Sequence, residues 1–90
     1  MIAKIIVSGQ VQGVGFRVTV LQKAMEQGIN GWVRNNDDGT VEIEAEGTKE
    51  QLETFIQTLK KGLHRFIKIT NLKVSFNEET KGYTNFRIIY

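Results

Sequence analysis

Apolar positions fall into a short series of distinct periods along the chain. Residues 2–7 are an almost unbroken apolar run rich in β-branched side chains, which predicts a strand buried on both faces. Residues 17–27 place Val20, Leu21, Ala24 and Met25 at three- and four-residue spacing, which predicts a helix closed by Gly28. Residues 31–35 read as a second short strand, and Asn36-Asp37-Asp38-Gly39 as a turn. Residues 40–46 alternate: Val41, Ile43 and Ala45 point one way, and Glu42, Glu44 and Glu46 the other. This predicts a half-buried strand with one wet face.

Thr48-Lys49-Glu50-Gln51 fits a capping box at the start of a second helix. Leu52, Phe55, Ile56 and Leu59 form its buried stripe, Lys60 and Lys61 suit its negative end, and Gly62 ends it. Residues 67–76 hold strand material with Leu72, Val74 and Phe76 alternating; residues 78–82 are turn-like, and residues 86–90 form a last strand. The order strand, helix, strand, strand, helix, strand, with an extra strand at the end, predicts an α+β chain. Its expected architecture is a ferredoxin-like βαββαβ sandwich, an antiparallel sheet with two helices on one face. That fold hosts unrelated functions and decides nothing about chemistry.

Ninety residues make one domain, spanning 1–90. At 40% apolar and 24% charged, the composition is that of a globular chain, not a disordered one. The absence of Cys removes disulfides, thiolate nucleophiles and sulfur-ligated zinc. One His leaves no His-rich metal site, and Asp37 with Asp38 lacks a third ligand, so no metal and no cofactor are expected. A net charge of +2 permits an anionic ligand without announcing a nucleic-acid binder. No apolar stretch approaches a membrane span and the N-terminal run is too short for a signal peptide, so the chain reads as cytosolic and free of membrane partners. A monomer is expected, although no feature of the sequence sets the oligomeric state.

Candidate chemistry concentrates in Gly9-Gln10-Val11-Gln12-Gly13-Val14-Gly15-Phe16-Arg17, which joins the first strand to the first helix. Glycines let backbone N–H groups turn inward as a concave nest, and a helix start adds unpaired N–H groups and partial positive charge. Together they suit phosphate or carboxylate. A cation at a helix start is misplaced by roughly 0.3–1 kcal/mol, unless an anion sits there and Arg17 becomes its bidentate partner. The alternative is a tight turn with Arg17 reaching solvent. Neither the nucleotide P-loop nor the dinucleotide fingerprint is present, since no Lys follows these glycines and position 18 is Val.

Asn35 ends the second strand with the parity of Val33. Its carboxamide offers donors and an acceptor and does not titrate, which suits it to orient a water; equally, Asn35 can simply start the turn. Arg34 has the opposite parity and reads as solvated, and Trp32 as core or sheet cover. His64 and Ser8 have no partners for a triad.

These two segments resemble the acylphosphatase family. Val7-Ser8-Gly9-Gln10-Val11-Gln12-Gly13-Val14-Gly15-Phe16-Arg17 looks like its first signature, and Gly31-Trp32-Val33-Arg34-Asn35, then Gly39, Val41 and Gly47, like its second. The resemblance extends over nearly the whole chain, to a Tyr83–Ile88 ending similar to the family's last strand. It implies metal-independent hydrolysis of an acyl phosphate to a carboxylate and inorganic phosphate. By motif position, Arg17 would bind phosphate, Asn35 would position the attacking water, and Gly9, Gln10, Val11, Gln12, Gly13, Val14 and Gly15 would supply phosphate-binding amides. The departure is residues 63–68, Leu63-His64-Arg65-Phe66-Ile67-Lys68, basic and Pro-free where many members carry prolines.

Two other functions fit the element order. An RNA-binding module needs aromatics on the central strands; residues 2–7 have none, and three glutamates on the wet face repel phosphates. A non-catalytic small-anion-binding regulatory domain would use the same loop without turnover. Nothing identifiable in the sequence grips an acyl chain, so a broad substrate range is expected.

Overall fold

The computed structural model describes residues 1–90. In chain order the elements are β1 (Ile2–Gln10), α1 (Phe16–Gln27), β2 (Asn30–Asn35), β3 (Val41–Glu46), α2 (Lys49–Lys60), β4 (Lys68–Asn77) and β5 (Phe86–Ile88). The sheet order is β4-β1-β3-β2-β5. β3 pairs antiparallel with β1 and β2, and β4 antiparallel with β1, which is the ferredoxin-like arrangement of two interleaved βαβ units. The sheet is mixed at one edge, because β5 runs parallel to β2 with Val33 beside Ile88.

The core lies between the sheet and the helices. Ala3, Ile5 and Val7 of β1 and Val41, Ile43 and Ala45 of β3 meet Phe16, Val20 and Ala24 of α1 and Leu52, Phe55 and Leu59 of α2. Phe55 meets Phe86 edge-on at 6.4 Å between centroids. α2 follows its sequence pattern closely. The Gln51 amide donates to Thr48 Oγ1 (3.1 Å) and the Thr48 amide to Gln51 Oε1 (2.9 Å), closing the capping box.

Four expectations change. β1 is not buried on both faces: Lys4 is exposed and Ile6 half-buried on the face away from the helices. Met25 is 69% exposed, and α1 uses Phe16 at its start in its place. β1 runs on through Gly9 and Gln10, which pair with Ile69 and Lys68 across a register shift after Ser8. Lastly, the glutamate face of β3 is not uniformly wet. Glu44 is 3% exposed, because residues 81–83 fold across it. Lys81 Nζ lies 3.0 Å from Glu44 Oε2, and the Tyr83 hydroxyl donates to that same oxygen. The amides of Lys81, Gly82 and Tyr83 all donate to the Glu46 carboxylate. Trp32 covers this face as well, donating from Nε1 to the Tyr83 hydroxyl (3.1 Å).

Candidate active site

The connection from β1 to α1 is short and glycine-shaped. Gly13 and Gly15 take left-handed φ values of 76° and 77° on either side of Val14, the backbone habit that turns successive N–H groups to one side. Gly15 also caps α1 without a side-chain hydrogen bond, and the first turn contains no acidic residue. The amides of residues 12–18 find no acceptor in the backbone. They form a run of free donors at the positive end of a helix dipole.

Arg17 is the second residue of α1. It is half-buried, makes no ion pair with any carboxylate, and lies with Cζ 5.5 Å from the centre of the Tyr90 ring. Its charge is therefore uncompensated. It shares a cleft of about 160 Å³ with Val11, Gly13, Gly15, Val18, Ile88 and Tyr90.

Asn35 ends β2 next door. A clamp explains its position: Gln12 Nε2 donates to the carbonyls of Asn36 and Thr40, 2.9 Å each, and ties the glycine loop to the turn after β2. The parallel pairing of Val33 with Ile88 carries on past β5, where the Ile89 amide reaches the Val33 carbonyl at 2.9 Å. Tyr90 thus arrives beside Asn35 and borders both the Arg17 cleft and a second one, about 310 Å³, lined by Arg34, Asn35, Asn36 and Asp37. The Asn35 Oδ1 atom is buried and has no hydrogen-bond partner, an arrangement that costs about 1–3 kcal/mol.

The residues singled out from sequence separate into groups. Arg17, Gly13, Gly15 and Val11 line one cleft, and Asn35 the adjoining one. Gln12 braces the two. Val14 is half-buried and packs against the core. Gly9 and Gln10 lie instead in the β1–β4 ladder: a Cβ on Gly9 would stand 2.1 Å from the Lys68 carbonyl oxygen, so this glycine serves a close strand approach. Sequence reasoning missed Val18, Ile88 and Tyr90, which line the Arg17 cleft. Val18 follows Arg17 directly on α1, whereas Ile88 and Tyr90 arrive only through the parallel placement of β5 against β2, which has no local signal.

Outside the clefts the expectations simplify. Asp38 closes its turn by accepting from the Thr40 amide and hydroxyl, and these bonds hold its carboxyl below the ordinary range. Arg34 pairs with Glu42 at 3.0 Å instead of standing free. In residues 63–68, His64 Nδ1 accepts from the Phe66 amide and Ile67 is buried, so the basic stretch is anchored without proline. No three His, Cys, Asp or Glu side chains come together, and no helix is long and apolar enough to cross a membrane.

Comparison with known proteins shows the family to which the chain belongs. The family model for Acylphosphatase matches residues 3–88. An acylphosphatase of Bacillus licheniformis is 49% identical over 87 residues, covering 97% of this chain and 96% of its own. One from Methanospirillum hungatei is 52% identical over 83 residues, 92% and 90% of the two chains. The crystal structure of acylphosphatase from Bacillus subtilis superposes with a TM-score of 0.94 over the full length of both chains at 43% identity. The chain with its free arginine at a glycine-capped helix start belongs to the acylphosphatase family.

Proposed function

We propose that the protein hydrolyses acyl phosphates to a carboxylate and inorganic phosphate, with Arg17 and the loop amides as the phosphate cradle and Asn35 as the group that positions water. One observation carries this reading. An unpaired guanidinium sits in the first turn of a helix whose leading amides, residues 12–18, have no backbone acceptor. Donors and positive charge converge there with no anion of the chain to answer them. A phosphoryl dianion satisfies all of them at once.

The chemistry asks little more of the protein. The leaving group of an acyl phosphate is a carboxylate, already stabilised, so its departure needs no proton. Water held by the Asn35 carboxamide attacks phosphorus. The phosphorus–oxygen bond to the acyl group breaks and its electron pair leaves on the carboxylate. The proton lost by the water goes to a phosphoryl oxygen. Catalysis then comes from orientation and from charge stabilisation by the guanidinium fork and amides, the pattern of phosphoryl transfer in general. In this reading the guanidinium and amides supply the positive charge that a metal ion would otherwise bring.

The test is hydrolysis of benzoyl phosphate in excess chelator by the full chain and by Arg17→Ala. Full turnover in chelator with loss of at least about 10²-fold in the variant supports the reading. Equal turnover by both proteins sinks it.

A further inference from the structure

We propose that Tyr90, together with Val18 and Ile88, is a platform for the acyl group, which makes the site selective for aromatic and branched acyl phosphates over acetyl phosphate. This rests on the reading of Arg17 as the phosphate-holding residue. Tyr90 is 99% exposed and Val18 62% exposed, while Ile88 is half-buried. Single exposed apolar side chains are ordinary on a protein surface. Here Val18, next to Arg17 on α1, and Ile88 and Tyr90, from the far end of the chain, line one cleft of about 160 Å³ with an uncompensated guanidinium. The substrate has the matching form: a dianionic head joined directly to a carbon chain.

The geometry separates the two ends of that substrate. The cleft is lined by the glycine turn, with Gly13 and Gly15, and by apolar side chains that include Val18, Ile88 and Tyr90. Val18 and Ile88 border only the Arg17 cleft, while Tyr90 borders the Asn35 cleft as well, so an acyl chain extending from Tyr90 over Val18 and Ile88 runs away from the attacking water. Arg17 lies over the face of the Tyr90 ring, with Cζ 5.5 Å from the ring centre. A guanidinium stacked on a ring keeps N–H donors at its edge for phosphoryl oxygens. An aryl group on the substrate would stack on Tyr90 while its phosphate engages the fork. The broad range expected from sequence, where nothing gripped the acyl chain, gives way to a graded one.

The experiment measures kcat/KM for benzoyl phosphate and acetyl phosphate, and the inhibition constant of inorganic phosphate, on the full chain and on Tyr90→Ser, Tyr90→Phe and Arg17→Ala. The exposure of Tyr90 makes both tyrosine variants safe to fold, which circular dichroism checks. We expect Tyr90→Ser to lower the benzoyl-to-acetyl ratio about three- to tenfold and Tyr90→Phe to hold it within about twofold. An unchanged ratio in Tyr90→Ser overturns the platform. So does an equal loss on both substrates with a weakened phosphate inhibition constant, since Tyr90 would then act only through Arg17. The Arg17 reading fails separately, if Arg17→Ala leaves phosphate inhibition unaltered.

Discussion

The Gln12 side chain donates to the Asn36 carbonyl across 2.9 Å, and this bond fastens the glycine loop to the residue next to Asn35. Its second bond, to the Thr40 carbonyl, makes the joint two-pronged. We expect Gln12→Ala to cost about 1–2 kcal/mol of stability, the net worth of two partly buried hydrogen bonds, read by urea denaturation. The effect on kcat should be larger, about tenfold or more, because sub-ångström drift between cradle and water is expensive. Gln12→Glu should be worse than Gln12→Ala, since a carboxylate would face two carbonyl oxygens. Wild-type kcat in Gln12→Ala would show that the joint has no part in the chemistry.

If Asn35 positions the water as proposed, its substitution should set stability against activity. Its Oδ1 is buried and unpaired, so the fold gains nothing from the carboxamide. Asn35→Ala should leave stability unchanged or raise it by about 1 kcal/mol. The same variant should lose about 10²-fold in kcat, with phosphate inhibition within about twofold of wild type. Asn35→Asp should lose both turnover and phosphate affinity, because a second anion would border the phosphoryl group. A variant that is destabilised and fully active would reverse the assignment.

What could be read from sequence was local, and what could not be read depended on topology. The cap at Thr48, the stripe of Leu52, Phe55, Ile56 and Leu59 and the stop at Gly62 all act within a few residues, and all are realised in α2. Loop glycines and Arg17 were legible for the same reason. Glu44 was misread because alternation reports which face a side chain takes, not whether a later segment covers that face; Lys81 and Tyr83 come from 37 and 39 residues downstream. Gly9 was misread because a glycine needed for a strand bulge and one needed for a loop look alike. Tyr90 reaches Arg17 only through the parallel pairing of β5 with β2.

Two glycines of similar appearance should differ sharply. At Gly31, with φ 140°, a Cβ would stand 1.9 Å from the Glu44 carbonyl oxygen, inside the β2–β3 ladder. At Gly13, with φ 76°, a Cβ would meet nothing within 4 Å. Gly13→Ala therefore pays only the backbone strain of a left-handed residue, about 1–2 kcal/mol. Gly31→Ala must also push two central strands apart, and we expect more than about 3 kcal/mol or failure to fold. Thermal denaturation of the two variants side by side decides it, and equal losses would refute the clash.

The cluster under residues 81–83 predicts how stability depends on pH. Burial alone would raise the Glu44 carboxyl, but the Tyr83 hydroxyl and Lys81 outweigh it and hold it below its ordinary 4.5. Glu46 is held below 4.5 in the same way, by three backbone amides that outweigh its burial. Groups depressed in the fold contribute stability that is present above the ordinary value and is lost as pH falls through the folded one. Tyr83 moves the other way: burial, then its bond to Glu44, raises it above 10.0. The bond to Glu44 likewise raises Lys81 above 10.5. Their contribution is complete below those ordinary values and is lost as pH climbs through the raised ones. The melting temperature should therefore form a plateau from about pH 5 to about pH 10, falling at both ends. Tyr83→Phe removes the donor to Glu44 and the acceptor for Trp32 Nε1. It should cost about 1–2 kcal/mol at neutral pH, make the acid fall shallower, because a less depressed Glu44 has less stability to lose as pH drops, and flatten the alkaline fall. An acid limb that coincides in Tyr83→Phe and wild type would mean that the hydroxyl does not hold the Glu44 charge.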